Sequence, residues 1–235
     1  MKNWHIVLIV AVVILALVLF FVPRNYRPPQ YSQSDYPWNV HPVAGGRSEV
    51  FGLTLGASTL ADADKRFGKA PVLGLFESRS GKLSLEAYYQ ELTLGPLSAK
   101  VVLGLAADKA MLEAMRQNAT DRKRVDSGDN RYILSAADHA RARSLPIASL
   151  TYIPYVDLDE SMVDHRFGRP AERMETAKGV HHLLYPKLGL DLILNDDGKE
   201  VLQYVAPRDF ERVRAPLIEA VRRYREKLKQ PAPDK

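Results

Sequence analysis

The side chains of this sequence that could do chemistry are a few histidines and carboxylates, and there is no cysteine. His181 and His182 are adjacent in a predicted strand, where neighbouring side chains point to opposite faces, so they cannot bind one metal ion. The segments Asp157–Glu160 and Asn195–Asp197 are rich in oxygen ligands suited to calcium, but the EF-hand spacing is absent. They are better explained as a helix start and a turn. We therefore predict no metal site.

The motifs of the common catalytic mechanisms are absent as well. The sequence contains no G-x-S-x-G, no glycine-rich phosphate loop and no cysteine nucleophile. A catalytic group assembled from distant positions would leave no such pattern. On these grounds we predict no catalytic residue, no cofactor-binding residue and no cofactor, and we expect that the chain is not an enzyme. Nucleic acid is not a predicted partner, because no recognition module is present.

A short helix-ending motif occurs twice in the chain. Asp64, Arg66, Phe67 and Gly68 recur as Asp164, Arg166, Phe167 and Gly168. Each predicted helix has an N-cap side chain before it, a glycine that can end it, and a proline soon after. Alternating strands follow both copies, which indicates a duplicated unit. The alternative is that two unrelated helices share a common end motif.

The predicted fold class is α+β, in which an N-terminal transmembrane helix precedes two duplicated helix-plus-antiparallel-sheet units and a C-terminal helix. The predicted segments are a transmembrane signal anchor at 1–22, a Pro/Tyr-rich linker at 23–47, a first repeat at 48–106, a connecting insert at 107–157, a second repeat at 158–206, and a basic C-terminal helix and tail at 207–235. Within the insert, the polar residues 120–130 predict an exposed loop. Pro216 predicts a break or kink in the C-terminal helix.

The anchor prediction rests on residues 6–22, which contain no polar or charged side chain. A helix of this length spans about 25 Å, enough for a thin bilayer core. The small residues of a cleavage site are missing, so we expect the segment to be retained. We predict a single-pass protein of the bacterial inner membrane that contacts the bilayer through residues 6–22, with its C-terminal domain in the periplasm. The alternative is a basic domain that faces the cytoplasm.

The linker combines several prolines with four large aromatic residues, which are Tyr26, Tyr31, Tyr36 and Trp38. One interpretation is a semi-extended tether whose aromatic side chains lie near lipid headgroups. The other is a segment that packs along the domain or on a partner, since free linkers rarely contain so many aromatics.

The chain carries a net charge of +5, and many of its basic residues lie in the C-terminal helix. A charge run of this kind commonly forms a solvated helix face. Arg222, Arg223 and Arg225 could instead contact anionic headgroups or an acidic protein partner.

A short helix that ends in a Phe-Gly-x-Pro-like signature, followed by a small antiparallel meander, resembles the SmpA/BamE-type outer-membrane assembly proteins. The tandem arrangement resembles the β-lactamase inhibitor protein fold, in which two such units lie side by side. The resemblance covers Gly52–Leu105 and Leu158–Val205. The chain departs from the family in lacking a lipobox cysteine and in having an insert of about fifty residues between the copies. The resemblance implies protein binding without catalysis.

Taken together, these patterns predict a membrane-anchored envelope protein that acts as a protein-binding scaffold, assembly subunit or regulatory subunit of a membrane-associated complex. A lipid- or glycan-binding envelope domain is the alternative. In residues 83–90, periodicity separates a core side from an exposed side that contains Tyr88. We predict that Tyr88 and Tyr204 belong to an exposed aromatic face that binds the partner.

Overall fold

Strands make up most of the regular structure, in agreement with the alternation of apolar and polar residues along the chain. The computed structural model describes residues 31–125 and 128–229. Ten strands form one antiparallel sheet in the order β10-β11-β12-β13-β9-β6-β5-β4-β8-β7. These strands are β4 (Val72–Glu77), β5 (Leu83–Leu94), β6 (Leu97–Leu105), β7 (Asp121–Arg124), β8 (Asn130–Ile133), β9 (Ile147–Pro154), β10 (Glu172–Ala177), β11 (Val180–Tyr185), β12 (Leu190–Asn195) and β13 (Val201–Val205).

A second, three-stranded sheet precedes the large one in the chain. It consists of β1 (His41–Val43), β2 (Arg47–Val50) and β3 (Leu53–Thr54). Phe51 and Gly52 connect the last two strands, and both have positive φ angles, of 54° and 74°. A two-residue hairpin loop of this kind matches the natural twist of the strands it joins. The Phe51 side chain is fully buried, so this turn contributes a ring to the core.

The described ranges contain five α-helices, which are α1 (Leu60–Phe67), α2 (Lys109–Gln117), α3 (Ala136–Arg143), α4 (Glu160–Phe167) and α5 (Glu211–Lys229). Thr59 caps α1, and its side chain and that of Asp62 bond reciprocally to the backbone. Asp159 caps α4 by accepting a hydrogen bond from the Met162 backbone. Both helices end at a glycine with positive φ. Gly68 has the left-handed conformation that commonly ends a helix, whereas Gly168 combines a φ of 73° with a ψ of -168°.

The hydrophobic core lies on one face of the large sheet. Strand β5 illustrates the separation of the two faces, because Leu85, Ala87 and Tyr89 are buried whereas Glu86 and Tyr88 are only partly covered. The same alternation occurs in β6 and β9. Helices α1 to α4 supply buried or half-buried side chains to this core, including Leu60, Met115, Ala142 and Val163.

The predicted fold class is wrong in its division of the chain into two α+β units. The strands that follow α1 and those that follow α4 are joined into one continuous sheet, in which β9 pairs with both β6 and β13. Pairing these strands removes two exposed sheet edges. The predicted connecting insert contributes three strands of that same sheet, β7, β8 and β9. The fold is mostly β, with one ten-stranded antiparallel sheet.

The two helix-ending motifs nevertheless occupy similar local environments. Phe67 contacts Tyr89 edge-on with ring centroids 5.4 Å apart, and Phe167 contacts Tyr185 with centroids 6.0 Å apart. Both phenylalanines are half-buried at the last position of a helix.

The predicted signal anchor at residues 6–22, with its bilayer contact, lies outside the described residues. Across residues 31–125 and 128–229, none of the helices combines the length and the apolar character needed to cross a bilayer. The described helices therefore do not include the transmembrane helix with which the predicted fold class begins. Nor do they include the span that the predicted location, a single-pass inner-membrane protein with a periplasmic domain, requires.

The described part of the predicted linker packs along the domain. Tyr36 stacks on Trp38 with ring centroids 5.0 Å apart, and the Arg166 guanidinium lies 4.6 Å from the centre of the Trp38 ring. Asp35 forms an ion pair with Arg66 of α1. For residues 32–47, these contacts favour the packed segment over the free tether.

Two smaller predictions concern residues 120–130 and Pro216. Residues 121–124 of the predicted loop are exposed as expected, but they form strand β7, which pairs with β8 at the sheet edge. Strand β8 in turn pairs with β4. Helix α5 continues through Pro216, so of the two predicted alternatives, a break and a kink, the break is wrong. Proline has no backbone N–H, so the Arg212 carbonyl lacks the hydrogen bond that residue 216 would otherwise donate. Both residues are exposed, so water can bind this carbonyl instead.

Candidate protein-binding surface

The face of the large sheet opposite the core carries a continuous row of side chains. Val72, Tyr88, Val102, Thr151 and Gln203 lie directly opposite one another on five neighbouring strands, from β4 through β5, β6 and β9 to β13. All five are partly or fully exposed, and Val72 has 51% of its surface accessible. We call this row, with the residues beside it on the same side of the sheet, the open face.

Helix α5 covers only one end of that side of the sheet. Phe210, just before α5, and Leu217 within it pack against Met174, Leu184 and Val205, which belong to the strands at and near the β10 edge. These strand residues alternate with the buried residues of the core, so they point away from the core face. The helix therefore leaves the part between β13 and β4 accessible.

A second row beside the first contains two glycines. Glu86 of β5 lies opposite Gly74 of β4 on one side and Gly104 of β6 on the other. Gly104 in turn lies opposite Ser149 of β9. A Cβ atom at Gly104 would lie 2.4 Å from the Ser149 hydroxyl oxygen, so the close approach of that side chain requires glycine. A Cβ atom at Gly74 would lie 2.8 Å from Arg131 Nε, so the Arg131 side chain covers this glycine.

The structure separates the two tyrosines predicted to form the binding face. Tyr88 is half-buried on the open face, and its hydroxyl donates to the Gln90 side chain. Tyr204 is fully buried on the core face, and its hydroxyl donates to the Pro37 carbonyl at 2.7 Å. Burial raises the pKa of Tyr204 well above its ordinary value. The prediction that Tyr204 is exposed is wrong.

The ambiguity of strand β13 explains this error. Val201, Gln203 and Val205 alternate with Leu202 and Tyr204, so both sides of the strand contain apolar residues and periodicity does not identify the buried side. Val102 and Thr151 were not predicted as surface residues, although the alternation in their own strands was visible in the sequence.

The predicted basic residues of α5 are exposed, but they do not form one patch. Arg222 and Arg225 line a groove of about 470 Å³ beside Met174, whereas Arg223 lines a separate groove of about 490 Å³ beside Thr176. Arg222 also pairs with Glu219 one turn earlier, and this contact raises the pKa of Arg222. The structure therefore distributes the three arginines over two sides of the helix.

A buried polar group lies under α5. His182 Nδ1 is 2.9 Å from an Asp191 carboxylate oxygen, and His182 Nε2 is 3.2 Å from the Thr176 hydroxyl. His182 and Asp191 are 7% and 1% exposed, so these contacts compensate the loss of water. His181, on the opposite face of the strand, is half-buried.

The two carboxylate-rich segments noted in the sequence do meet in the structure. Asp157–Glu160 and the turn that contains Asn195 and Asp196 line a common pocket of about 460 Å³, together with Glu200. Within the described residues, no three His, Cys, Asp or Glu side chains are grouped in a way that could hold a metal ion.

Comparison with known proteins provides no relative for this chain. No protein-family model, no curated protein and no solved structure matches it significantly.

Proposed function

We propose that this protein binds another protein through the open face of its large sheet, as a scaffold, assembly subunit or regulatory subunit. The observation that carries the proposal is the row of partly exposed side chains from Val72 to Gln203, which crosses five adjacent strands in register.

The composition of this surface suits a protein partner. Tyr88 and Val102 are adjacent at its centre, and Thr151 and Gln203 add groups that can form hydrogen bonds. Charged side chains lie beside the row, such as Lys100 and Glu86. Interfaces of this type combine an apolar and aromatic centre with a polar rim. A sheet also holds its side chains rigidly, which lowers the conformational entropy lost on binding.

A photo-cross-linking experiment tests the proposal. Tyr88 is replaced by a benzoyl-phenylalanine residue in the full chain, which is expressed in its native host. Irradiation should join the protein to one or a few defined partners, and mass spectrometry identifies them. The matched control carries the same residue at Ala140, an exposed position of α3 on the core side of the sheet.

Charge substitution then tests the surface against the identified partner. Thr151→Arg introduces a bulky cation next to Val102 on the open face and should weaken binding by at least about tenfold, the effect of about 1.4 kcal/mol. Ala140→Arg adds the same charge on the other side and should leave the affinity unchanged. Equal cross-linking from both positions, or full binding by a folded Thr151→Arg variant, would rule out this surface.

A further inference from the structure

We propose that the acidic pocket between α4 and the β12–β13 hairpin binds a guanidinium group. The pocket, of about 460 Å³, is formed by the residues at the start of α4, by the hairpin turn, by His181 of β11 and by Glu200, which directly precedes β13. Its lining contains the carboxylates of Asp157, Asp159, Glu160, Asp196 and Glu200. This site is separate from the open face and does not depend on the proposed function.

The charge of the pocket is opposite to that of the whole chain. The protein carries a net charge of +5, yet five carboxylates surround this one space. Two of them are paired with cations, since Lys199 contacts Asp157 at 2.8 Å and Arg173 contacts Glu160. The Asp159 carboxylate accepts bonds from Ser161 and from the Met162 backbone, which lower its pKa and keep it charged. The pocket therefore retains excess negative charge.

Glu200 indicates that a ligand belongs there. The residue is only 8% exposed, and its Oε2 atom is buried with no hydrogen-bond partner among the described residues. A buried carboxylate oxygen without a partner is costly, because it has lost water and gained nothing in return. The same side chain lines the pocket, so a cation bound there would lie next to the Glu200 carboxylate and offset its negative charge.

The arrangement of the carboxylates selects the type of cation. A metal ion needs several ligand atoms that converge on one point, and no group of three within residues 31–125 and 128–229 does so. A guanidinium is planar and has five N–H donors, so it can bond to carboxylates that lie on different walls of a pocket. The ligand could be a free arginine derivative or an arginine side chain of a protein.

Calorimetry and NMR titration of the full chain with N-acetyl-arginine amide test the proposal. We expect saturable binding with a Kd of about 1 mM or tighter. N-acetyl-lysine amide should bind more weakly, because it lacks the planar fork of donors. A peptide with a single arginine is titrated in parallel. Tighter binding of the peptide would identify an arginine side chain as the natural ligand, and equal affinity would identify the free molecule; both results support the guanidinium site.

Variants locate the site. Glu200→Gln removes the buried charge at nearly constant volume and should weaken binding on the order of tenfold. Asp196→Asn, at an exposed position, tests the pocket without a risk to folding. Glu91→Gln makes the same chemical change as Glu200→Gln on an exposed strand residue outside the pocket and should have no effect. The proposal fails if no saturable binding is seen, if both pocket variants bind as the parent does, or if calcium chloride binds there more tightly than the arginine derivative.

Discussion

Phe51 stacks on Tyr152 with ring centroids 5.1 Å apart, and this contact attaches the small sheet to the centre of the large one. Phe51 also meets Tyr204 edge-on at 6.3 Å, so one ring from the β2–β3 turn covers both β9 and β13. These two strands pair where the parts of the chain following α1 and α4 join. The positive φ of Phe51 is disfavoured for a bulky residue, and burial of its ring offsets that strain.

The two tyrosines in this cluster should respond in opposite ways to loss of the hydroxyl. The Tyr152 hydroxyl is buried without a hydrogen-bond partner in the described chain, whereas that of Tyr204 donates to Pro37. Tyr152→Phe should therefore leave the free energy of unfolding unchanged or raise it by about 1 kcal/mol. Tyr204→Phe should lower it by about 1–2 kcal/mol, since the Pro37 carbonyl loses its donor. Urea unfolding of both variants measures the difference, and a larger loss for Tyr152→Phe would contradict this account.

Alkaline pH should destabilise the protein through its buried tyrosines. Burial raises the pKa of Tyr152 to about 12, from about 10 in the unfolded chain. The folded state holds the phenolic proton more tightly, so the stability contributed by this group is complete below about pH 10 and is lost as pH rises through about 12.

At about pH 11, ionisation of Tyr152 in the unfolded chain should lower the free energy of unfolding by about 1 kcal/mol. Burial raises the pKa of Tyr185 to about 12 as well. The total loss of unfolding free energy in the parent protein should therefore exceed the contribution of Tyr152. Urea unfolding at about pH 8 and about pH 11 compares the parent with Tyr152→Phe. The variant should lose about 1 kcal/mol less than the parent, and an identical loss in the two proteins would contradict the burial of this hydroxyl.

Removal of Asp191 should destabilise the edge of the sheet beneath α5. Asp191→Ala leaves His182 buried without its carboxylate partner, and we expect a loss of about 3 kcal/mol or more in the free energy of unfolding. Asp196→Ala removes an exposed carboxylate from the turn that follows the same strand and should change stability by less than about 0.5 kcal/mol. Similar melting temperatures for the two variants would show that the His182–Asp191 contact contributes little.

The two helix-ending phenylalanines should contribute similarly to stability. Phe67→Ala and Phe167→Ala each remove a half-buried ring that contacts a tyrosine of the core. We expect a loss of about 2–3 kcal/mol from each, below the range of about 3–5 kcal/mol for fully buried rings. Met162→Ala on α4, where the side chain is 39% exposed, serves as the control. Thermal unfolding measures all three, and a loss confined to one phenylalanine would indicate that the two motifs are not structurally equivalent.

Local sequence determined the short-range features of this protein. The ends of α1 and α4 follow from an N-cap side chain and a terminal glycine, and the two faces of β5 follow from alternation, because these signals act over a few residues. Only the tertiary structure decided which strands became neighbours, since the pairing of β9 with β13 joins residues about fifty positions apart. It also placed Tyr204 in the core, because Phe51 and Pro37 bury it from distant parts of the chain. The acidic pocket arises for the same reason, as two polar segments some forty residues apart meet at the end of one hairpin.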